Sequence, residues 1–161
     1  MFSYMPIITS QTKDLFFDYL KNIEFKEVNY VAIGVQDTIN KKTTSLMSSA
    51  EWQKKFSENN YMHYDPLRNL ILNTNRNIIF IEEINNVDSI GTEIMEQRKK
   101  FGVGKGIVIV ERFKGCNYIL TLGTDYQKFD SYKHLQQNYS GIKKTMQDMK
   151  SIIYNDITVY V

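Results

Sequence analysis

The sequence contains a single cysteine and two prolines among 161 residues, and it has no apolar run long enough to cross a membrane. Cys116 has no second cysteine to pair with, so the chain cannot form an internal disulfide. No charged stretch followed by an apolar one occurs at the start, as a secretion leader requires. Together these absences predict a cytoplasmic protein with no membrane segment.

The net charge is also small, because Lys and Arg together exceed Asp and Glu by only two, 20 against 18. The basic residues lie in scattered pairs rather than along one stripe, so no nucleic-acid-binding surface is predicted in the chain. Hydrophobic residues make up 42% and charged residues 24%, which is typical of a globular protein. We expect a single domain over residues 1–161.

Side chains for catalysis or metal binding are scarce. His63 and His134 are far apart, and neither has a metal-ligand spacing with Cys116. The stretch FGVGKG (101–106) lacks the full phosphate-loop pattern and precedes a predicted strand instead of a helix. The sequence therefore predicts no metal, no cofactor and no enzymatic activity.

Apolar periodicity and turn residues divide the chain into nine predicted elements. Helices are predicted over 12–24 with Thr12 as the cap, over 48–60 with Ser48 as the cap, from Pro66 onward, over 86–101, and over 126–154 with a break near Gly141. Strands are predicted over 28–37, 77–83, 105–113 and 116–124, with a loop over 37–45 and a Lys-Gly hairpin between the last two strands. The order predicts an α/β/α sandwich, in which a central antiparallel sheet has helices on both faces, as in PAS/GAF-like sensory domains.

The first predicted strand has two different faces. The face with small side chains comprises Tyr30, Ala32 and Gly34, and the branched face comprises Val31, Ile33 and Val35. Small side chains on one face of a strand leave space for a ligand or for a closely packed helix.

One short stretch concentrates side chains that suit recognition: Trp52, Phe56, Tyr61, Tyr64 and Asp65. An indole N–H only donates and an ionised carboxylate only accepts, so Trp52 and Asp65 together suit a small molecule with a carbonyl and an amide N–H. The alternative is structural, with Trp52 in the core and Asp65 as the cap of the next helix. Spacing alone leaves both interpretations open.

Two motifs resemble the autoinducer-binding domain of LuxR-type quorum-sensing regulators. In EWQKKFSENNYMHYDPL (51–67), a tryptophan is followed at the family's interval by an Asp-Pro pair. RKKFGVGKGIVIV (98–110) is similar to the family's helix-to-strand segment, and its Gly106 matches the glycine at the strand entry. Both occur in the family's order, and with the element order the resemblance covers nearly the whole chain.

The resemblance implies a pocket for an N-acyl homoserine lactone. Trp52 would donate to the lactone carbonyl, Asp65 would accept from the amide N–H, and Thr121 would lie near the acyl carbonyl. The space for the acyl chain would be lined by Ala32, Gly34, Ile71 and Ile119. The predicted ligand-binding residues are Trp52, Phe56, Tyr61, Asp65, Arg68, Ile71, Phe80 and Thr121.

Four positions depart from the family's pattern. Ser48 and Phe56 stand where the family commonly has tyrosines, so two hydroxyl contacts are missing. Phe80 takes the place of a second tryptophan and would keep an aromatic wall. Arg68 replaces an aliphatic residue one helical turn after Asp65. Because a buried charge needs a partner, its guanidinium must reach solvent, pair with Asp65 or bind an anionic ligand.

We therefore expect a non-enzymatic domain that senses a small amphiphilic signal and works as a dimer. The family normally continues into a helix-turn-helix module that binds DNA, and no such module is predicted before the sequence ends at Val161. Binding to DNA would need that module. The alternative is a ligand-free short form that pairs with full-length regulators and inhibits them.

Overall fold

The computed structural model describes residues 5–85 and 88–155. The helices are α1 Ser10–Leu20, α2 Ala50–Glu58, α3 Pro66–Asn73, α4 Ser89–Lys100 and α5 Ser131–Ile153. The strands are β1 Tyr30–Asp37, β2 Thr43–Met47, β3 Ile78–Phe80, β4 Lys105–Phe113 and β5 Cys116–Thr124. They form one sheet in the order β2-β1-β5-β4-β3, and every neighbouring pair is antiparallel. The prediction of an α/β fold with an antiparallel sheet between helices is confirmed.

The two faces of the sheet are packed by different helices. Val31, Ile33 and Val35 of β1 face a core formed with α1 and α5. Tyr30 and Ala32 face a second core formed with α2, α3 and α4. The predicted division of β1 into two faces is confirmed, because alternate side chains of a strand point to opposite sides. The small side chains of β1 therefore lie under the α2–α4 layer.

The sequence prediction missed β2, which was expected to be part of a loop. Its first three residues are polar, so it lacks the apolar content that marks a strand. It forms at the edge of the sheet, where its backbone pairs with β1 between the partners Gln36–Thr43 and Ala32–Met47. An edge strand with polar side chains protects the sheet against pairing with other chains.

The start of α2 differs by one residue from the prediction. Ser49 is the cap, since its Oγ accepts a hydrogen bond from the N–H of Trp52 at 3.1 Å. Ser48 extends the pairing with β1 instead: its N–H donates to the carbonyl of Val31, and its Oγ accepts from the N–H of the same residue at 2.9 Å. The prediction of Ser48 as the cap was wrong for this reason.

Two other helices also have shifted boundaries. Thr9, not Thr12, caps α1, and Thr12 completes a capping box by accepting from the N–H of Thr9 at 3.0 Å. In α5 the irregular backbone is at Asn138, where φ is −123° and ψ is 17°, three residues before the Gly141 near which a break was predicted. Both differences are local and leave the helix layers unchanged.

The β4–β5 hairpin matches its prediction. Lys114 and Gly115 have φ values of 48° and 79°, as a tight two-residue turn of the strand-matching kind requires. Gly106 enters β4 with φ at 154°, and a Cβ there would overlap the carbonyl oxygen of Leu122 and lie 2.8 Å from Cα of Gly123. Only glycine allows β4 to lie this close to β5.

Candidate functional site

A cavity of about 80 Å³ lies between the sheet and the α2–α4 layer. Ala32 and Gly34 of β1 border it on the sheet side, Ile119 of β5 lies beside them, and Ile71 of α3 closes it from above. Ligand pockets commonly enclose roughly 300–1,000 Å³, so this cavity holds only a few water molecules as it stands. A signal molecule enters only if side chains around it move outward.

The structure brings most of the predicted ligand-binding residues together. Five line the cavity: Phe56, Asp65, Arg68, Ile71 and Thr121. Two lie outside the lining in the aromatic cluster of the α2–α4 layer: Trp52 and Tyr61. The eighth, Phe80, lies on the opposite face of the sheet.

Asp65 has two structural roles in the cavity wall. As the residue before Pro66, it caps α3 by accepting the N–H of Leu67 at 3.1 Å, as predicted. Its carboxylate also forms a bidentate ion pair with Arg98, with Oδ1 2.9 Å from Nη1 and Oδ2 3.0 Å from Nη2. Asp65 is 4% exposed and Arg98 6%, so the pair is desolvated. Both carboxylate oxygens therefore have partners before any ligand binds.

Arg98 is a charged cavity residue that sequence reasoning missed. It follows Gly91 and Ile94 on the buried side of α4, whereas Ile90 is 44% exposed. The spacing of four residues after Ile94 was a visible signal for the same helical face. Burial lowers the pKa of the Arg98 guanidinium, but the charge and hydrogen bonds of Asp65 outweigh that effect and leave the pKa raised. The Arg98 guanidinium therefore stays charged at this buried position.

Trp52 is the centre of an aromatic cluster next to the cavity. It is 1% exposed, and its ring lies 5.6 Å from Phe56, 6.1 Å from Tyr61 and 5.4 Å from Phe101, measured between centroids. The Arg98 guanidinium carbon lies 5.6 Å from the Trp52 ring, a cation–π contact. Trp52 therefore packs against Arg98 of the buried ion pair and does not line the cavity.

Tyr30 lines the cavity as a neutral hydroxyl group. Burial raises the pKa of Tyr30 well above its ordinary value. The charge of Arg98 and a hydrogen bond from Trp52 act in the opposite direction, whereas the charge of Asp65 raises the pKa further. The hydroxyl therefore keeps its proton at neutral pH.

Phe80 does not form the expected aromatic wall. In β3 the side chain of Ile79 belongs to the core under the α2–α4 layer, so the next side chain points to the other face. Phe80 packs there against the core of α1 and α5, and its ring lies 6.3 Å from that of Tyr132. The period of two along a strand overrides the position that the resemblance implied.

Arg68 lines the cavity without contacting Asp65. Its Nε donates to Oγ1 of Thr43 at 3.1 Å, and its Nη2 donates to the carbonyl of Lys41 at 2.6 Å. It forms no ion pair with a carboxylate in the described part of the chain. Of the three outcomes considered for this guanidinium, pairing with Asp65 is wrong, because Arg98 occupies that carboxylate.

Thr121 offers the cavity a hydrogen-bonding group that is not in use. It is 7% exposed and lies opposite Ala32 in the pairing of β5 with β1. Its hydroxyl makes no hydrogen bond to another residue of the described ranges, although it lines the cavity. A hydroxyl without a partner in a partly closed site can donate to a ligand oxygen.

No group of three or more His, Cys, Asp or Glu residues in the described ranges could hold a metal ion. No helix among the described residues is long and apolar enough to cross a membrane.

A cavity between the sheet and one helical layer, with apolar walls and a few fixed polar groups, has the composition that is common in small-molecule sites. The chain belongs to the autoinducer binding domain family, whose model matches residues 9–138. In LuxR-type regulators such domains sense signals and are not enzymes. A search among curated proteins gives no match.

Solved structures with the same fold come from LuxR-type regulators. CepR2 from Burkholderia cenocepacia, an N-acylhomoserine lactone dependent LuxR family transcription factor, has a TM-score of 0.63 and 14% identity over 81% of this chain and 77% of its own. SdiA of Escherichia coli has a TM-score of 0.65 and 11% identity over 93% of this chain and 63% of its own. The VqsR LBD domain of Pseudomonas aeruginosa has a TM-score of 0.64 and 14% identity over 88% of this chain and 90% of its own. The chain thus spans less than two thirds of SdiA, and these likenesses show the fold alone.

Proposed function

We propose that the cavity binds a small amphiphilic signal, an N-acyl homoserine lactone or a related molecule, as the sensing step of a LuxR-type regulator. The observation that carries this proposal is the cavity over the small side chains of β1, which combines apolar walls with a carboxylate and an unused hydroxyl. Membership of the autoinducer binding domain family supports it. Among structures of this fold, CepR2 is N-acylhomoserine lactone dependent, and SdiA has been solved in complex with octanoyl-rac-glycerol.

The apolar part of the signal packs on Phe56, Ile71 and Ile119 in this proposal. Gly34 adds no side chain to that wall, which leaves room for an acyl chain between β1 and α3. Because the cavity is small, the chain displaces these side chains outward as it enters. Burying apolar surface supplies the driving force at about 25 cal/mol per Å².

The polar part of the signal meets the fixed groups at the same wall. The Thr121 hydroxyl donates to a ligand carbonyl. An ionised carboxylate offers about four acceptor positions, and the Asp65 carboxylate has three occupied, one by the N–H of Leu67 and two by Arg98. The remaining position accepts the ligand's amide N–H. Arg98 thereby fixes the direction in which Asp65 accepts.

Lactone binding is expected to raise the melting temperature of the protein. A ligand at one hundred times its Kd stabilises the folded state by about 2.7 kcal/mol, which corresponds to a shift of about 5–10 °C for a domain of this size. Thermal unfolding with N-acyl homoserine lactones of increasing chain length measures this shift.

Gly34→Val is the matched control for this measurement. A Cβ at Gly34 would lie 3.7 Å from Cβ of Ser45 and 4.0 Å from Cβ of Ile119, which are ordinary contacts. Valine also suits a strand, so the variant should fold while its side chain fills the cavity. We expect the lactone shift to disappear in it. A wild-type protein that no lactone stabilises, or a variant that keeps the full shift, would contradict the proposal.

The second candidate is a ligand-free form that pairs with a full-length LuxR-type regulator and inhibits it. The small cavity volume and the occupied Asp65 carboxylate favour this role. It predicts no thermal shift with any lactone and a stable mixed dimer in size-exclusion chromatography with light scattering. Under either role we propose that the domain works in the cytoplasm as a homodimer or heterodimer.

A further inference from the structure

We propose that the cavity also accepts an amphiphilic signal with a negatively charged head group, a carboxylate or a group like it, and that Arg68 at the cavity wall binds this group. The inference rests on the proposed signal-sensing function of the cavity and names the chemical class of the ligand. It starts from the charges of the lining residues.

The cavity lining has an excess of one positive charge. It contains two arginines, Arg68 and Arg98, and one carboxylate, that of Asp65. Arg98 and Asp65 neutralise each other through two hydrogen bonds, so the charge of Arg68 remains without a counter-ion in the described ranges. A guanidinium at the wall of a partly closed site is a favourable partner for a carboxylate.

The bonds of Arg68 hold its guanidinium in place and leave donors free. Its two acceptors, the Thr43 hydroxyl and the Lys41 carbonyl, are both neutral. A guanidinium has five N–H donors, so three are left for a ligand. Thr43 accepts from Nε with its oxygen and keeps its own hydrogen for donation to the same anion. The anchor on the β1–β2 segment thus prepares this side chain for binding.

The neighbourhood of Arg68 adds to this preference. Lys41 and Lys42 follow one another in the β1–β2 segment and are both exposed. An anion that approaches the cavity past this segment meets positive charge before it reaches Arg68. The unused Thr121 hydroxyl, which also lines the cavity, can hold a second oxygen of the same ligand.

Octanoate and octanamide are a matched pair of probes, because their head groups are nearly equal in size and only octanoate is charged at pH 7. We expect octanoate to bind roughly tenfold more tightly in isothermal titration calorimetry, since hydrogen bonds to charged groups are the stronger ones. Arg68→Gln should bring the two affinities within about twofold of each other, and Arg68→Lys should keep part of the preference. Raising the salt concentration should weaken octanoate binding alone.

Arg112→Gln is the control variant. Arg112 also bonds neutral acceptors, the carbonyls of Ile71 and Arg76, but it does not line the cavity. It should keep the wild-type preference for octanoate. Thermal unfolding without ligand verifies that each variant is folded. If Arg68→Gln is not folded, Arg68→Lys replaces it in the comparison of the two probes.

Equal affinities of the wild type for both probes, a preference that survives in Arg68→Gln, or no binding of either probe would overturn the proposal. Thermal unfolding of the wild type and of Gly34→Val with the lactone series then shows whether the proposed sensing function is also wrong. If lactones still stabilise the wild type and not Gly34→Val, the cavity senses a neutral signal and only the anionic class is wrong.

Discussion

Replacing Arg98 with methionine is expected to lower the free energy of unfolding by about 3–5 kcal/mol, because it leaves the buried Asp65 carboxylate without its counter-ion. Methionine keeps an unbranched side chain beside Trp52, so the loss of charge dominates over the loss of packing. Urea unfolding at constant salt measures the effect. The exposed Arg76, changed to methionine in parallel, should stay within about 0.5 kcal/mol of the wild type.

The double variant Arg98→Met with Asp65→Asn separates the ion pair from the helix cap. Asparagine caps a helix about as well as aspartate, so α3 keeps its start while both buried charges are gone. We expect the double variant to recover at least about half of the loss seen with Arg98→Met alone. A loss in the double variant equal to the sum of the losses of Arg98→Met and Asp65→Asn measured singly would mean that the two side chains are not coupled.

Trp52→Ala is expected to lower the free energy of unfolding by about 3–5 kcal/mol, since it removes a buried indole that three aromatic rings contact. Trp52→Phe keeps a ring in the same space and should lose less than half as much. Chemical unfolding of both variants measures these losses.

Trp52→Phe also tests whether the indole of Trp52 takes part in ligand binding. The indole does not line the cavity, so the phenylalanine variant should keep most of the lactone-induced thermal shift. Loss of the shift in a variant that is still folded would show that the indole N–H matters for binding, either directly once the cavity opens or through the Tyr30 hydroxyl to which it donates. Tyr61→Phe, in the same cluster, is a control for removing one polar group there.

The parts of the fold that could be predicted from the sequence are those with local signals. The β4–β5 hairpin has apolar strands on both sides of a Lys-Gly turn, and α3 starts at an Asp-Pro pair. β2 could not be predicted, because its polar residues form a strand only once the edge of β1 is present. β2 is stabilised by its pairing with β1, and nothing in the polar pattern of 37–45 itself indicates that pairing.

The candidate site shows the same division. The cap at Asp65 was visible from its neighbours, whereas its partner Arg98 is 33 positions away and a charged residue in a helix usually faces solvent. Phe56, Ile71 and Thr121, which the resemblance implied, line the cavity, and their role in ligand binding stays a prediction. Phe80 was misplaced because a family position does not specify the direction of a side chain along a three-residue strand.

Methyl NMR of isoleucine-labelled protein during titration with N-octanoyl homoserine lactone shows directly whether the signal binds between β1 and α3. Binding there should change the methyl signals of Ile71 and Ile119, which line the cavity, and leave those of Ile142 and Ile152, which are fully buried against the other face of the sheet. The same titration with Gly34→Val should leave all four signals unchanged. Unchanged cavity methyls in the wild type, or changes confined to the α1–α5 core, would mean that the signal does not bind between β1 and α3.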